Sequence, residues 1–170
     1  KYSRHQADLS IQDYLEKENV VSIADVDTRA IVRHIRNKGA MNAIISSEVL
    51  DVALLKKMLL EVPPMEGLEL ASKVSTASSY CLGNPDAAYR VAVLDFGVKK
   101  NILRCLVERG CYLNIFPATT TFAEMETWNP HGYFLSNGPG DPAAMPYAIK
   151  TAKEILNHNI PLFGICLGHQ

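Results

Sequence analysis

Two patterns of apolar and polar positions follow one another along the chain. In the C-terminal one, a continuous apolar run (Val91-Ala92-Val93-Leu94) and three further strand-like segments (residues 112–116, Gly132-Tyr133-Phe134-Leu135 and residues 161–165) are separated by stretches with apolar residues three and four apart. A continuous run of four or five suits a strand covered on both faces. The spaced stretches predict a helix over 98–109 with Val98, Ile102, Leu103, Cys105 and Leu106 inward, and a short helix over 122–128. A third covers 146–157, with Ala148, Ile149, Ala152, Ile155 and Leu156 inward. Strand and helix alternating in this way predict an α/β fold with an open parallel sheet.

The N-terminal pattern is less regular. Ser10, three residues before Asp13, resembles a capping box opening a short helix. Residues 20–23 are β-prone, and residues 41–46 are apolar enough for a strand. Between them Asp27 or Thr28 can cap a helix with Ile31, Val32 and Ile35 on one face, Arg29, Arg33, Arg36 and Lys38 largely on the others, and Gly39 as its stop. Its basic side chains read as a solvated face. Residues 51–61 predict a further helix, ended by Pro63-Pro64. A Ser-, Asn- and Gly-rich stretch then reads as a linker. The expected organisation is part of a smaller α+β domain over 1–74, a linker over 75–89, and the sheet domain over 90–170.

Composition narrows the function classes. With 170 residues, 48% hydrophobic and 21% charged, the chain reads as soluble and globular. Seventeen basic against eighteen acidic residues leave a net charge of −1 with no basic stripe, which argues against nucleic acid as a partner. No apolar run approaches the ~18–20 residues of a membrane span, and no signal-peptide pattern opens the chain. The four cysteines, Cys81, Cys105, Cys111 and Cys166, form no regular framework and read as free thiols in a reducing compartment.

Candidate chemistry gathers after the strands, where ligands sit in open α/β sheets. Gly164-Ile165-Cys166-Leu167-Gly168 is the cysteine form of a nucleophile elbow, in which small residues either side let a strand turn sharply and leave the nucleophile at the tip. The Leu167 N–H follows the nucleophile and suits an oxyanion donor. The start of a following helix would favour the thiolate. A buried, inert cysteine is the plain alternative. Ser136-Asn137-Gly138-Pro139-Gly140-Asp141-Pro142 is the second feature: Gly138 and Gly140 can take positive φ and bring bare backbone to a ligand, and Asp141 with Pro142 suits a helix start. It lacks the spacing of a phosphate-binding loop, and a simple tight turn is its plain alternative. Asp95-Phe96-Gly97 is the third. Cys166 and His169 make a weak zinc signal, having no second ligand pair. His169 is expected behind the nucleophile's turn, and His131 and His158 at the far end of the sheet, so no general base is apparent.

These residues resemble a known family. Phe163-Gly164-Ile165-Cys166-Leu167-Gly168-His169-Gln170 and the 136–142 loop are similar to the nucleophile and oxyanion signatures of class I glutamine amidotransferases. Asp95-Phe96-Gly97-Val98-Lys99-Lys100-Asn101-Ile102 and Ala24-Asp25-Val26-Asp27-Thr28-Arg29 resemble the small, glutamine-hydrolysing subunits of carbamoyl-phosphate synthetases. The resemblance implies that Cys166 attacks the side-chain amide of L-glutamine, that the N–H groups of Leu167 and Gly138 form the oxyanion hole, and that Gly138, Gly140, Leu167 and Gln170 contact the substrate. It implies no cofactor in this chain, a large synthetase subunit as partner using ATP and Mg, and a cytoplasmic location. The family's catalytic His and Glu lie in a His-Pro-Glu segment without a counterpart here, so the chain reads as a piece lacking both ends of such a subunit and inactive alone. Another class I amidotransferase, a redox-active thiol protein and a docking module are the alternatives; a redox thiol has no need of the 136–142 loop.

Overall fold

The computed structural model describes residues 8–170. It divides into two compact units, Lys1–Met65 and Glu66–Gln170.

In the first unit, helix α1 spans Ile11–Lys17, where the Ser10 hydroxyl accepts the Asp13 N–H. Helix α2 spans Thr28–Lys38: Asp27 caps it by accepting the Ala30 N–H, and Gly39 stops it at φ +88°. Helix α3 spans Val52–Leu60, with Asp51 accepting the Ala53 and Leu54 N–H groups. Each helix therefore starts on a side chain that satisfies N–H groups the helix itself leaves free. The strands expected over 20–23 and 41–46 do not form: both segments lack strand structure. A strand exists only where a neighbour takes its hydrogen bonds, and β-prone composition supplies none. No described residue of this unit is buried, and Ile31, Val32 and Ile35 of α2 are exposed.

The second unit begins before the end expected for the smaller domain. Helix α4, Ala71–Val74, has Ala71 fully buried. Strand β1, Tyr80–Leu82, pairs antiparallel with a strand at Cys111–Pro117. The polar 75–89 stretch is thus fastened to the sheet domain: polarity marks exposure to water but does not show which unit a segment pairs with.

Strands β2 (Tyr89–Asp95), β3 (Cys111–Pro117), β4 (Gly132–Leu135) and β5 (Leu162–Gly164) are mutually parallel, and the sheet order is β1-β3-β2-β4-β5. The open parallel sheet is as expected, with β1 as an added antiparallel edge. Helices α5 (Lys100–Val107), α6 (Phe122–Glu126) and α7 (Pro146–Asn157) connect the parallel strands. One face carries Ala92, Leu94, Tyr133 and Leu135 against Phe122 and Met125 of α6 and Ala148 and Ile155 of α7. The other carries Val93, Leu113, Ile115 and Phe134 against Leu103 of α5. Both faces are covered, so apolar residues fill successive positions, as at Val91–Leu94, rather than alternate ones, with Asn114 of β3 a buried polar exception. Ile149 and Leu156 of α7, expected inward, are exposed at 42% and 61%; the inward stripe runs instead through Ala148, Thr151 and Ile155.

From β2 the chain crosses to β3 on one side. From β4 it crosses to β5 on the other. The switch in direction falls between β2 and β4, where loops leaving adjacent strand ends part and open a crevice. The three sequence features gather around that point.

Candidate active site

Cys166 ends the short path from β5 as the first residue of a 3-10 turn, Cys166–Gly168, and is exposed. Its φ is +54°, and among the described residues every other non-glycine residue with positive φ is Asn or Asp. Cysteine has no side chain suited to that region, so the conformation stores strain of roughly 1–3 kcal/mol that the surroundings must hold. Two glycines hold it. A Cβ on Gly164 would lie 2.2 Å from the Gly168 oxygen, and one on Gly168 would lie 2.3 Å from the Leu135 oxygen. Backbone packs on backbone at both places, which only glycine permits. The His169 and Gln170 N–H groups donate to the Cys166 carbonyl at 2.9 and 3.1 Å, closing the turn behind the thiol. His169 thus sits on the turn itself. The described residues after Cys166 form the 3-10 turn Cys166–Gly168, and the Gln170 N–H adds the four-residue bond of an α-helical turn.

The elbow is bound to the end of β4. The Ile165 N–H donates to the Leu135 carbonyl at 3.1 Å, and the Gly168 N–H to the Ser136 carbonyl at 3.1 Å. Ser136 is fully buried; its hydroxyl accepts the Phe96 N–H and donates to the Asn137 carbonyl, both at 2.8 Å. The Asn137 side chain donates to the Gly97 carbonyl at 3.0 Å and accepts the Lys99 N–H at 3.2 Å. Buried Asp95 accepts the Gly97 and Val98 N–H groups with one oxygen and the Thr76 N–H with the other. Polar side chains at the ends of β2 and β4 are therefore satisfied by each other's loops, and the three features form one connected assembly. Asp95, Ser136 and Asn137 hold it together. Their motifs stand out in the sequence, but which backbone groups they serve is not encoded in any local spacing.

The glycine-rich loop differs from expectation in one detail. Gly140 takes φ +103°, as expected, but Gly138 does not take a positive φ. Gly138 is glycine for proximity: a Cβ there would lie 2.1 Å from the Phe96 oxygen. Asp141 caps the 3-10 turn Pro142–Ala144 by accepting the Ala143 N–H at 2.9 Å. The N–H groups of Leu167 and Gly138 donate to no acceptor among the described residues. The Leu167 side chain is buried, which anchors its peptide.

A cavity of about 450 Å³ adjoins the assembly, walled by Phe96, Leu135, Met145, Leu167 and Gln170 among others. Its walls are mostly apolar and do not include Cys166. His131 and His158 lie as expected at the starts of the strands. The His131 N–H donates to the Arg90 carbonyl at 2.8 Å, and the His158 ring lies 4.5 Å from that of Phe122. Among the described residues no three His, Cys, Asp or Glu side chains stand together to hold a metal ion, and no helix is long and apolar enough to cross a membrane.

The parallel sheet thus carries an exposed thiol at positive φ on an elbow bonded to a glycine-rich loop, and residues 92–170 match the family described as glutamine amidotransferase class-I. Residues 1–45 match the family described as carbamoyl-phosphate synthase small chain, CPSase domain. The chain belongs to the carbamoyl-phosphate synthase small chain family. It is 47% identical to the carbamoyl phosphate synthase small chain of Chlorobaculum tepidum over 99% of its own length and 47% of that protein's. It is 45% identical to the protein of the same name from Vibrio cholerae, over 99% of this chain and 48% of that one. With that of Escherichia coli O6:H1 the identity is 45%, over 98% and 47%. The chain spans about half the length of the curated relatives it matches.

Proposed function

We propose that this chain supplies the nucleophile and the oxyanion hole of the glutamine-hydrolysing component of a carbamoyl-phosphate synthase. The Cys166 sulfur attacks the side-chain amide carbon of glutamine. The carbonyl oxygen takes up the electron pair and is held by the Leu167 and Gly138 N–H groups. When the carbonyl re-forms, the carbon–nitrogen bond breaks, the nitrogen takes a proton, and ammonia leaves a glutamyl thioester. Water then attacks the thioester, releasing glutamate and restoring the thiol. Gly140 and Gln170 complete the glutamine contacts in this reading. In this reading the general base is a histidine of the family's His-Pro-Glu segment, which has no counterpart in these residues.

Ammonia passes to a large synthetase subunit. That partner uses ATP, Mg and bicarbonate to make carbamoyl phosphate for arginine and pyrimidine synthesis, and this chain needs no cofactor of its own. Four free cysteines support a reducing, cytoplasmic setting.

One observation carries the reading: Cys166 is exposed at φ +54° on an elbow whose Gly168 N–H is bonded to Ser136, the first residue of the oxyanion loop. The test is glutamate release by the full-length protein. Cys166→Ser should abolish it, and a glutamine-analogue alkylating agent should label Cys166 with protection by glutamine. Turnover undiminished in Cys166→Ser would overturn the assignment.

A further inference from the structure

The oxyanion loop belongs to no strand, and a glycine-rich segment does not hold its shape unaided. A segment ahead of the sheet lies along it. The Asp141 N–H donates to the Leu68 carbonyl at 2.9 Å, and the Gly67 N–H returns to the second Asp141 oxygen at 2.9 Å. A Cβ on Gly140 would lie 2.8 Å from the Leu68 oxygen and 3.1 Å from the Leu70 nitrogen, so the two backbones are in direct contact. At Glu69 the chain is latched: its carboxylate accepts the Tyr147 hydroxyl at 2.7 Å and the Ser72 N–H at 2.9 Å, as well as the Ser72 hydroxyl. Tyr147 is the second residue of α7, the helix the loop runs into. Further along, the Thr76 N–H donates to Asp95 at 2.8 Å, and the Ser75 hydroxyl accepts the Ala118 N–H at 2.8 Å. A Cβ on Gly97 would lie 3.0 Å from a Val74 methyl. One continuous segment thus touches the glycine-rich loop, the helix that follows it, and the ends of β2 and β3.

We propose that residues 67–76 are a strap that positions the oxyanion loop, with the Glu69–Tyr147 hydrogen bond as its latch. The proposal rests on the reading of Gly138 as an oxyanion donor. Glu69 and Tyr147 are positioning residues: they act through the loop backbone and the first turn of α7, which fix where Gly138 stands. The latch is a charge-assisted bond. Burial raises the Glu69 carboxyl pKa, but the bonds from Ser72 and Tyr147 outweigh it and hold the group below its usual range. Burial, then the neighbouring carboxylate, pushes the Tyr147 hydroxyl well above the usual phenol range, so it stays a donor. Such bonds are roughly twice as strong as neutral ones.

The test uses the full-length protein with its partner subunit and the variants Tyr147→Phe and Glu69→Gln. Each should lower kcat for glutamine hydrolysis about ten- to a hundredfold with KM little changed, and the double variant should be no worse than the more damaged single one, because both remove one bond. Alkylation of Cys166 by iodoacetamide, which develops no oxyanion, should keep its rate. Unchanged kcat in folded variants would overturn the strap, as would alkylation slowing in step with turnover, which would show disturbance of the thiol itself. Should Glu69→Gln fail to fold, Tyr147→Phe alone decides. Loss of the strap effect while Cys166→Ser remains inactive rejects only the strap; turnover surviving in Cys166→Ser rejects the glutaminase reading beneath it.

Discussion

The Gly168 N–H donates to the Ser136 carbonyl at 3.1 Å, so the residue closing the Cys166 elbow is bonded to the residue opening the glycine-rich loop. Cys166, the nucleophile of the proposed reaction, and the loop are therefore set in one frame, and an error at their junction moves one against the other. Attack on a carbonyl whose oxygen must fall into prepared donors is sensitive to such an error.

Gly168→Ala places a Cβ 2.3 Å from the Leu135 oxygen, 2.5 Å from its carbonyl carbon and 2.7 Å from its Cβ. Two of these neighbours are backbone atoms of β4 and cannot swing away. The elbow has to shift, and a displacement near 1 Å lowers kcat/KM by about 100-fold. Steady-state glutamine hydrolysis by the full-length variant measures this. Activity within twofold of the parent would show that the elbow does not need its contact with β4.

Ser136→Ala acts on the same junction through satisfaction rather than bulk. The hydroxyl is the acceptor for the Phe96 N–H in a fully buried position. Alanine leaves that donor unpaired and costs about 1–3 kcal/mol. A loss of unfolding free energy of that size by chemical denaturation, read with Ser136→Thr as a variant that retains the hydroxyl, is the expected result. Equal loss in both variants would point to packing instead.

The elements legible in the sequence are those with local causes. The span of α7 is legible to the residue because Pro146 opens it and three- and four-residue spacing carries it. Strand β2 is legible because coverage on both faces makes Val91–Leu94 continuously apolar. What the sequence hides depends on partners distant in the chain. Strand β1 at Tyr80–Leu82 exists through pairing with Ile115, Asn114 and Leu113, while residues 20–23 and 41–46, at least as β-prone, pair with no strand among the described residues and are irregular. At the site, Cys166 and the glycine loop stand out by composition. Glu69 and Thr76 do not, since their roles consist of bonds to Tyr147 and Asp95, 78 and 19 residues away. Gly138 shows the subtler limit: its glycine is legible, but the reason, contact with Phe96 rather than positive φ, requires the fold.

Asp141 connects this architecture to pH. The Gly67 N–H first, and then the Ala143 N–H, hold its carboxyl below the usual aspartate range, with a smaller opposing effect of burial. Both bonds are made to the ionised form. With a folded-state pKa below that of the unfolded chain, Asp141 stabilises the fold fully above the ordinary aspartate value of about 3.9. That contribution is lost as pH falls through the depressed folded value. The wild-type acid transition is not a clean readout, because Glu69 and Glu124 are held low as well. The difference between wild type and Asp141→Asn isolates the one group, since the other carboxylates titrate in both proteins. Denaturation midpoints should be separated by a constant gap from pH 7 to about pH 5, with wild type the more stable. Below that the gap should close, as protonation makes aspartic acid and asparagine alike in charge. A gap that stays the same down to about pH 2, below the ordinary aspartate range, would mean that Asp141 holds the loop by shape alone and its charge contributes nothing to the hold on Gly67 and Ala143.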